Sequence, residues 1–210
     1  MKARVTSEKS YTWQQVKEIM AAGQAREIFG DDGEITVLVG GIGEVIMNIL
    51  DYDKDKAAAD PDAHTMTVQC KDLVFSPMQF DEDGSNKWEN SSLRAYLNSQ
   101  EFLEKFEEGF RDLIVQVEKE NDGREKTLDT FFLLSVEEMK DDKKKYQRFR
   151  SERDCVKVDP EKETDWNWTR SAYRGDASIT WCVYASGGVG SGGSAADSYR
   201  FAPACVIAAI

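Results

Sequence analysis

The side chains that could do acid–base or nucleophilic chemistry are few and widely spaced in this 210-residue chain. His64 is the only histidine, and no Gly-x-Ser-x-Gly turn accompanies it. A histidine-dependent triad is therefore not expected, and we expect His64 to be structural or to lie at a strand edge. The four cysteines contain no Cys-x-x-Cys pair, which argues against a zinc knuckle or a thioredoxin-type site and favours reduced thiols.

Cys182 and Cys205 form the one cysteine pair near the C-terminus that could serve redox or copper chemistry. Alternation along ITWCVYA (179–185) predicts a strand with one packed face and one free face. Cys182 and Tyr184 would belong to the free face, whereas Cys205 would be a core thiol; a catalytic cysteine remains the alternative. The residues predicted for the packed face are Ile179, Trp181 and Val183.

Asp51, Asp53 and Asp55 have the spacing of the first ligands in a calcium-binding loop. Lys56 stands where such a loop needs glycine, and Asp62 stands where it needs a bidentate glutamate. We therefore expect a solvated acidic loop and no metal.

Two glycine-rich segments lack the surroundings of a phosphate loop. GGIGEV (40–45) lies between strand-like segments and lacks the third glycine of a dinucleotide loop, so it predicts a hairpin turn. GGVGSGGS (187–194) is followed by neither Lys-Ser/Thr nor a helix, so it predicts a flexible, exposed loop. No cofactor is expected.

The charge balance restricts the classes of partner. A formal net charge of −12 and a sequence pI near 4.7 argue against binding nucleic acid or anionic lipid. No apolar run reaches 18 residues, and no apolar run follows the basic residues of MKARVTSEKS, so neither a membrane span nor a secretory signal is expected. A cytoplasmic location, a place in a virion and export by another route all stay open.

Periodicity and capping residues predict the elements of the N-terminal half. A helix should run from about Thr12 to about Ala22, with Gly23 just past its end. Two strands should meet near Gly40 and Gly41, and another strand should lie in 64–75. The segment 91–106 predicts a helix capped by Ser91 or Ser92.

The C-terminal half predicts more strand and less helix. The segment 110–121 alternates like a strand, and 129–139 reads as a buried strand that ends at a helix cap near Ser135. Residues 140–154 predict a charged helix or a solvated loop, and the last 45 residues predict short strands between Gly- and Ser-rich turns. The expectation is one α+β domain over 11–210, preceded by an extension at 1–10.

The C-terminal segment 166–210 differs in composition from the rest. Although 31% of the chain is charged, this segment has five charged residues and neither Lys nor Glu. Its charged residues are Arg170, Arg174, Asp176, Asp197 and Arg200.

Four stretches, in this order, resemble a family of domains of unknown function from bacteria and their phages. They are SSLRAYLNSQEFLEKF (91–106), DTFFLLSVEEM (129–139), WNWTRSA (166–172) and RFAPACVI (200–207). The resemblance covers about 11–210 and implies a C-type-lectin-like, or formylglycine-generating-enzyme-like, domain whose C-terminal half is rich in strands and loops.

The segment 166–210 also resembles the variable region of proteins diversified by diversity-generating retroelements. Randomised Asn codons in that family yield Tyr, Gly, Asp, Ser, Ala, Ile or Cys, but not Lys, Glu, Gln, Met or Trp. The constant motifs of such a region correspond in this chain to Arg170-Ser171-Ala172, Arg174, Trp181, Val183, Ser186-Gly187, Val189 and Arg200-Phe201-Ala202-Pro203. No Asn stands between Thr169 and Ile210, so a Gly- and Ser-rich segment of another origin stays an alternative.

The resemblance implies a ligand-binding display protein, not an enzyme, whose hypervariable C-terminal surface recognises a cell-surface or environmental target. We expect Trp181, Val183 and Phe201 to be buried anchors, whereas tyrosines and small polar residues meet the ligand. The implied ligand-binding residues are Tyr173, Gly175, Asp176, Ser178, Ile179, Cys182, Tyr184, Gly188, Gly190, Ser191, Gly192, Gly193, Ser194, Ala195, Ala196, Asp197, Ser198 and Tyr199.

The implied ligand is a protein, or less favourably a glycan. Asp165-Trp166-Asn167-Trp168 lacks the trailing acid of a calcium-dependent sugar site, so no such site is expected. Two other functions stay open: a static accessory module of a phage or bacterial surface, and a formylglycine-generating-type enzyme that uses Cys182 and Cys205 with copper.

Overall fold

The computed structural model describes residues 3–4 and 10–210; the rest of the extension expected at 1–10 lies outside the described residues. The helices are α1 Trp13–Ala21, α2 Ala25–Phe29, α3 Ser92–Leu97, α4 Gln100–Leu103, α5 Glu108–Arg111 and α6 Val136–Lys140. The strands are β1 Ala3–Arg4, β2 Ser10–Tyr11, β3 Glu34–Val39, β4 Gly43–Tyr52, β5 Thr65–Cys70, β6 Met78–Gln79, β7 Ile114–Val115, β8 Val117–Lys119, β9 Thr127–Asp129, β10 Phe131–Phe132, β11 Asn167–Ala172, β12 Ile179–Val183, β13 Val189–Ser194, β14 Ser198–Tyr199 and β15 Ala204–Ala208. Short 3-10 helices occupy Trp88–Asn90 and Glu152–Cys155.

The first helix forms as its capping residues predict. The Thr12 hydroxyl accepts a hydrogen bond from the Gln15 amide, and the Gln15 side chain accepts one from the Thr12 amide, which completes a capping box. Gly23 follows with φ +68, a conformation that favours glycine after a helix.

The main element of the fold is a curled antiparallel sheet of six strands, in the order β10-β15-β5-β4-β3, with β7 also paired to β15. The hairpin predicted near Gly40 and Gly41 joins β3 to β4. Every residue of β5 is buried, because β4 and β15 flank it and both of its faces are covered.

The single helix predicted over 91–106 is wrong, because the chain forms two short helices there. Ser91 caps α3 as predicted, but α3 ends before Asn98 and Ser99 caps α4. The Asn98 side chain accepts from the Thr130 amide at 2.6 Å and donates to the Phe131 carbonyl at 2.9 Å. These tertiary bonds fix the backbone at the break between the helices.

The C-terminal segment forms a second antiparallel sheet in the order β11-β12-β13. The loop predicted over 187–194 is wrong, because Val189–Ser194 is a strand that pairs with β12, with a β-bulge at Gly192. Gly187, with φ +87, turns the chain between the two strands, and a Cβ there would lie 2.0 Å from the Glu152 carbonyl oxygen.

The predicted α+β class, with a C-terminal half of strands and loops, is confirmed. One hydrophobic core includes residues from Trp13 in α1 to Ala208 in β15. None of the helices within residues 3–4 and 10–210 has the length and hydropathy that crossing a membrane requires.

Candidate functional site

Four aromatic rings form a cluster beside β13, here called the aromatic cluster: Trp166, Trp168, Tyr184 and Tyr199. The ring centroids of Trp166 and Tyr184 lie 4.5 Å apart, and those of Trp168 and Tyr199 lie 4.7 Å apart. Trp166 also contacts Tyr199, with centroids 5.8 Å apart. Trp168 is buried, while the other three rings are half-buried and keep part of their surface exposed.

The glycines of β13 make room for these rings. A Cβ on Gly190 would lie 2.0 Å from Tyr184 Oη, and one on Gly193 would lie 2.4 Å from Cζ3 of Trp168. A Cβ on Gly192 would meet its nearest atoms at 3.4 Å or more, which is ordinary contact. Glycine at positions 190 and 193 of β13 thus has a physical cause.

The packed face predicted for 179–183 is partly wrong. Val183 and Phe201 are buried as predicted, but Trp181 is half-exposed. Cys182, predicted to face the ligand, is fully buried, and Thr180 is buried with it. Cys182 lies in the interior because Trp168 of β11 and Gly193 of β13 cover this side of β12.

The three tyrosines predicted to meet the ligand, Tyr173, Tyr184 and Tyr199, do not form one group. The Tyr173 ring packs edge-on against Trp181, with centroids 5.9 Å apart, whereas Tyr184 and Tyr199 belong to the aromatic cluster. Because side chains alternate along β12, Trp181 points away from the Cys182 side of the strand, which Trp168 of the aromatic cluster covers. Tyr173 therefore lies away from the aromatic cluster.

Three of the eighteen implied ligand-binding residues are placed wrongly as surface residues. Cys182 and Ala195 have no exposed surface, and Gly193 is buried beneath Trp168. The implied residues that are exposed or half-buried are Tyr173, Gly175, Asp176, Ser178, Ile179, Tyr184, Gly188, Gly190, Ser191, Gly192, Ser194, Ala196, Asp197, Ser198 and Tyr199.

Two carboxylates lie at the C-terminal end of β13. Ile179 of β12 and Ser194 of β13 are paired across the strands. The Ile179 amide donates to the Asp176 carbonyl, and the Asp197 amide donates to the Ser194 carbonyl, so both aspartates flank this pair. Hydrogen bonds from the Ser178 amide and hydroxyl lower the pKa of Asp176. The pKa of Tyr199 is raised by burial and then by the charge of Asp197.

The two candidate cysteines stand in different sheets. Cys182 lies in β12 and Cys205 in β15. The pKa of Cys205 is raised, and the neighbouring Cys70 contributes to that rise. Burial raises the pKa of Cys182 to about 12 and is the main cause of the rise for Cys205. Both thiols therefore stay protonated near neutral pH, which does not favour nucleophilic or metal-binding thiolates.

A buried group of charges, here called the ionic cluster, was missed by sequence reasoning. Lys119 Nζ donates to Asp55 Oδ1 at 2.6 Å, to Glu138 Oε1 at 3.0 Å and to Tyr146 Oη at 2.9 Å. Arg170 forms two hydrogen bonds to the Glu138 carboxylate, one of them 2.8 Å long, and donates to the Leu133 carbonyl. The ionic cluster consists of Asp55, Lys119, Glu138, Tyr146 and Arg170.

The ionic cluster balances two buried cations against two carboxylates. Lys119 and Arg170 are 2% and 3% exposed, and they line a cavity of about 290 Å³. Burial alone would raise the pKa of Glu138, but the charges of Arg170 and Lys119 outweigh it and hold that pKa well below its usual value. The Ser135 helix cap was the one sequence signal here, since its capping-box partner is Glu138.

The solvated acidic loop predicted at Asp51, Asp53 and Asp55 is correct only in part. Asp53 is exposed, and its carboxylate lies 3.2 Å from Nδ1 of His64, which is also exposed and immediately precedes β5. Asp51 and Asp55 keep only 12% and 13% of their side-chain surface exposed, because cations pair with both.

Comparison with known protein families gives one match. A family described as a domain of unknown function, DUF6273, matches residues 65–209, which is more than half of the chain. The chain belongs to the DUF6273 family. No curated protein and no solved structure matches the sequence.

The DUF6273 region begins at β5 and includes both the aromatic cluster and four of the five residues of the ionic cluster. Several residues in the stretches that carried the resemblance hold the backbone in this region. Asn98 ties α3 to β10, Ser135 caps α6, and Arg200 donates to the Phe75 carbonyl at 3.0 Å. Strands β3 and β4 precede the DUF6273 region and complete its main sheet.

Proposed function

We propose that this DUF6273 protein is a binding protein that recognises a protein on a target surface through its C-terminal sheet. The observation that carries the proposal is the aromatic cluster, in which Trp166, Tyr184 and Tyr199 are half-buried beside β13, a strand made of glycine, serine and one valine. Rings held in this way present a large apolar area and have little torsional freedom left to lose on binding.

The fold in this proposal is C-type-lectin-like. The order of the stretches that resemble such domains supports it, as does a C-terminal half of short strands that ends in β15 within the main sheet. Val183 and Phe201 fix the backbone from the interior, so the exposed residues between them are free to change at little cost in stability.

Diversification by a retroelement is a further part of the proposal, and related isolates test it. We expect exposed positions such as Asp176, Ser191 and Asp197 to differ between isolates, while Cys182 and Gly193 stay constant because no space surrounds them. The flanking DNA should carry a near-copy of the 3′ end that differs only at template adenines, beside a reverse-transcriptase gene. A constant 173–199 segment with no such copy would favour a static surface module.

The recognition part is tested with a binding screen against arrays of cell-surface proteins and glycans. For a target found in this way, Tyr184→Ala should weaken binding at least about tenfold, since buried aromatic anchors dominate interface energies. Tyr173→Ala is the matched control, because Tyr173 is an equally half-buried tyrosine outside the aromatic cluster.

Equal affinities of the wild type and Tyr184→Ala would contradict a binding role for the aromatic cluster. If only Tyr173→Ala weakened binding, the target would contact the side of β12 that carries Trp181 and not the aromatic cluster. Circular dichroism and thermal melting of each variant would separate lost binding from lost folding.

A further inference from the structure

Strand β13 has a free edge. Among the strands of residues 3–4 and 10–210, it is the last of its sheet and pairs only with β12. Among the described residues, the backbone groups of Gly190, Ser191 and Gly192 have no hydrogen-bond partner outside β12. The outward amides and carbonyls of this edge are therefore available to another strand.

The β13 edge has a β-bulge at Gly192 but lacks the charged residues and proline that commonly prevent strand pairing. Natural edge strands are commonly blocked by lysine, other charges or proline. From Trp181 to Ala196 this chain has no charged residue and no proline, although 31% of its residues are charged. Glycine within a strand also permits the close approach of a second backbone.

The surroundings of the edge indicate what would pair with it. Trp166 and Tyr184 pack beside Gly192 and Gly190, so an added strand would place alternate side chains against aromatic surface. Asp176 and Asp197, at the C-terminal end of β13, have no cation partner within residues 10–210. They would attract a lysine or arginine of the added strand.

We propose that the β13 edge binds an extended segment of a partner protein by strand addition, with an apolar residue on the aromatic cluster and a basic residue near Asp176 and Asp197. A second copy of this chain is disfavoured as the occupant, since each copy carries a net charge of −12. This inference rests on the proposed function and names the form in which the target is recognised.

The experiment starts from a random linear peptide library displayed on phage and selected against the purified full chain. A selected peptide is then synthesised in two forms, each N-methylated at alternate residues over its central segment. A paired strand directs alternate amides toward its neighbour, so one form should lose at least tenfold in affinity while the complementary form binds like the parent.

Two variants of the protein provide a matched pair. Ser191→Lys places a lysine on the β13 edge, whereas Ser186→Lys places the same charge in the exposed turn before β13. Ser191→Lys should weaken peptide binding at least tenfold and Ser186→Lys should change it less than threefold. Thermal melting would confirm that both variants are folded.

Three results would overturn strand addition. They are equal binding of the two N-methylated forms, equal affinities of the two lysine variants, and a library that yields no peptide. If Tyr184→Ala still abolished binding of a folded protein, the proposed function would stand and the strand-addition inference alone would fail. A dimer that Ser191→Lys converts to a monomer would show a second copy at the edge and would overturn the assignment of this edge to a partner protein.

Discussion

At the scale of single residues, the two adjacent glycines of β13 differ in what surrounds them. A Cβ on Gly193 would lie 2.4 Å from the Trp168 ring and 2.5 Å from Cys182 Sγ. Both neighbours are buried, so Gly193→Ala forces a shift in the packing. We expect it to lower the free energy of unfolding by about 1–3 kcal/mol, measured by urea denaturation.

Gly192→Ala is the matched control for this prediction. Its added Cβ would meet Tyr184 Oη at 3.4 Å and Trp166 at 3.5 Å, so we expect a change within about 0.5 kcal/mol. Similar effects of the two substitutions on the free energy of unfolding would show that the packing of Trp168 on Gly193 does not limit which side chains β13 can accommodate.

At the scale of elements, the sequence predicted what local signals determine. The helix start at Thr12, the hairpin at Gly40 and Gly41 and the Ser135 cap all depend on residues within a few positions of one another, and all three are present. The single helix at 91–106 failed because Asn98 bonds to β10, more than thirty residues away. Helical periodicity carries no information about such a bond.

Strand β13 shows that local signals can also fail to predict a strand. Gly and Ser have low strand propensity, so VGSGGS predicts a loop. The segment is nevertheless a strand because β12 supplies a hydrogen-bonding partner and rings from Trp168 and Tyr184 lie over its glycines. The burial of Cys182 has the same origin, since alternation assigns two faces to β12 but does not say which face Trp168 covers.

At the scale of the whole molecule, the ionic cluster joins segments that lie far apart in the sequence. Asp55 follows β4, Lys119 ends β8, Glu138 lies in α6 and Arg170 lies in β11. No spacing rule connects these positions, so this cluster could not be predicted without the fold. Aspartate and lysine are common throughout an acidic chain, and nothing local distinguishes the buried ones from the exposed ones.

Removing Glu138 tests how much the ionic cluster stabilises the fold. Glu138→Gln leaves Lys119 and Arg170 buried with one carboxylate fewer, so we expect the free energy of unfolding at pH 7 to fall by about 3–5 kcal/mol. Glu137→Gln removes the same charge from the neighbouring position, where the pair with Lys144 is half-exposed. Its expected cost is below about 1 kcal/mol.

The pH dependence distinguishes a charge effect from a packing effect at Glu138. The folded protein holds the pKa of Glu138 below its ordinary value of 4.5, so the unfolded chain takes up this proton first as the pH falls. The contribution of Glu138 is therefore fully present above about pH 4.5 and is lost as the pH falls toward the lower folded pKa. Urea denaturation at pH 7, 5 and 3.5 should show the difference between the wild type and Glu138→Gln shrinking by about 1.4 kcal/mol at pH 3.5, one pH unit below the unfolded pKa. A constant difference would mean that the amide disturbs packing and not charge.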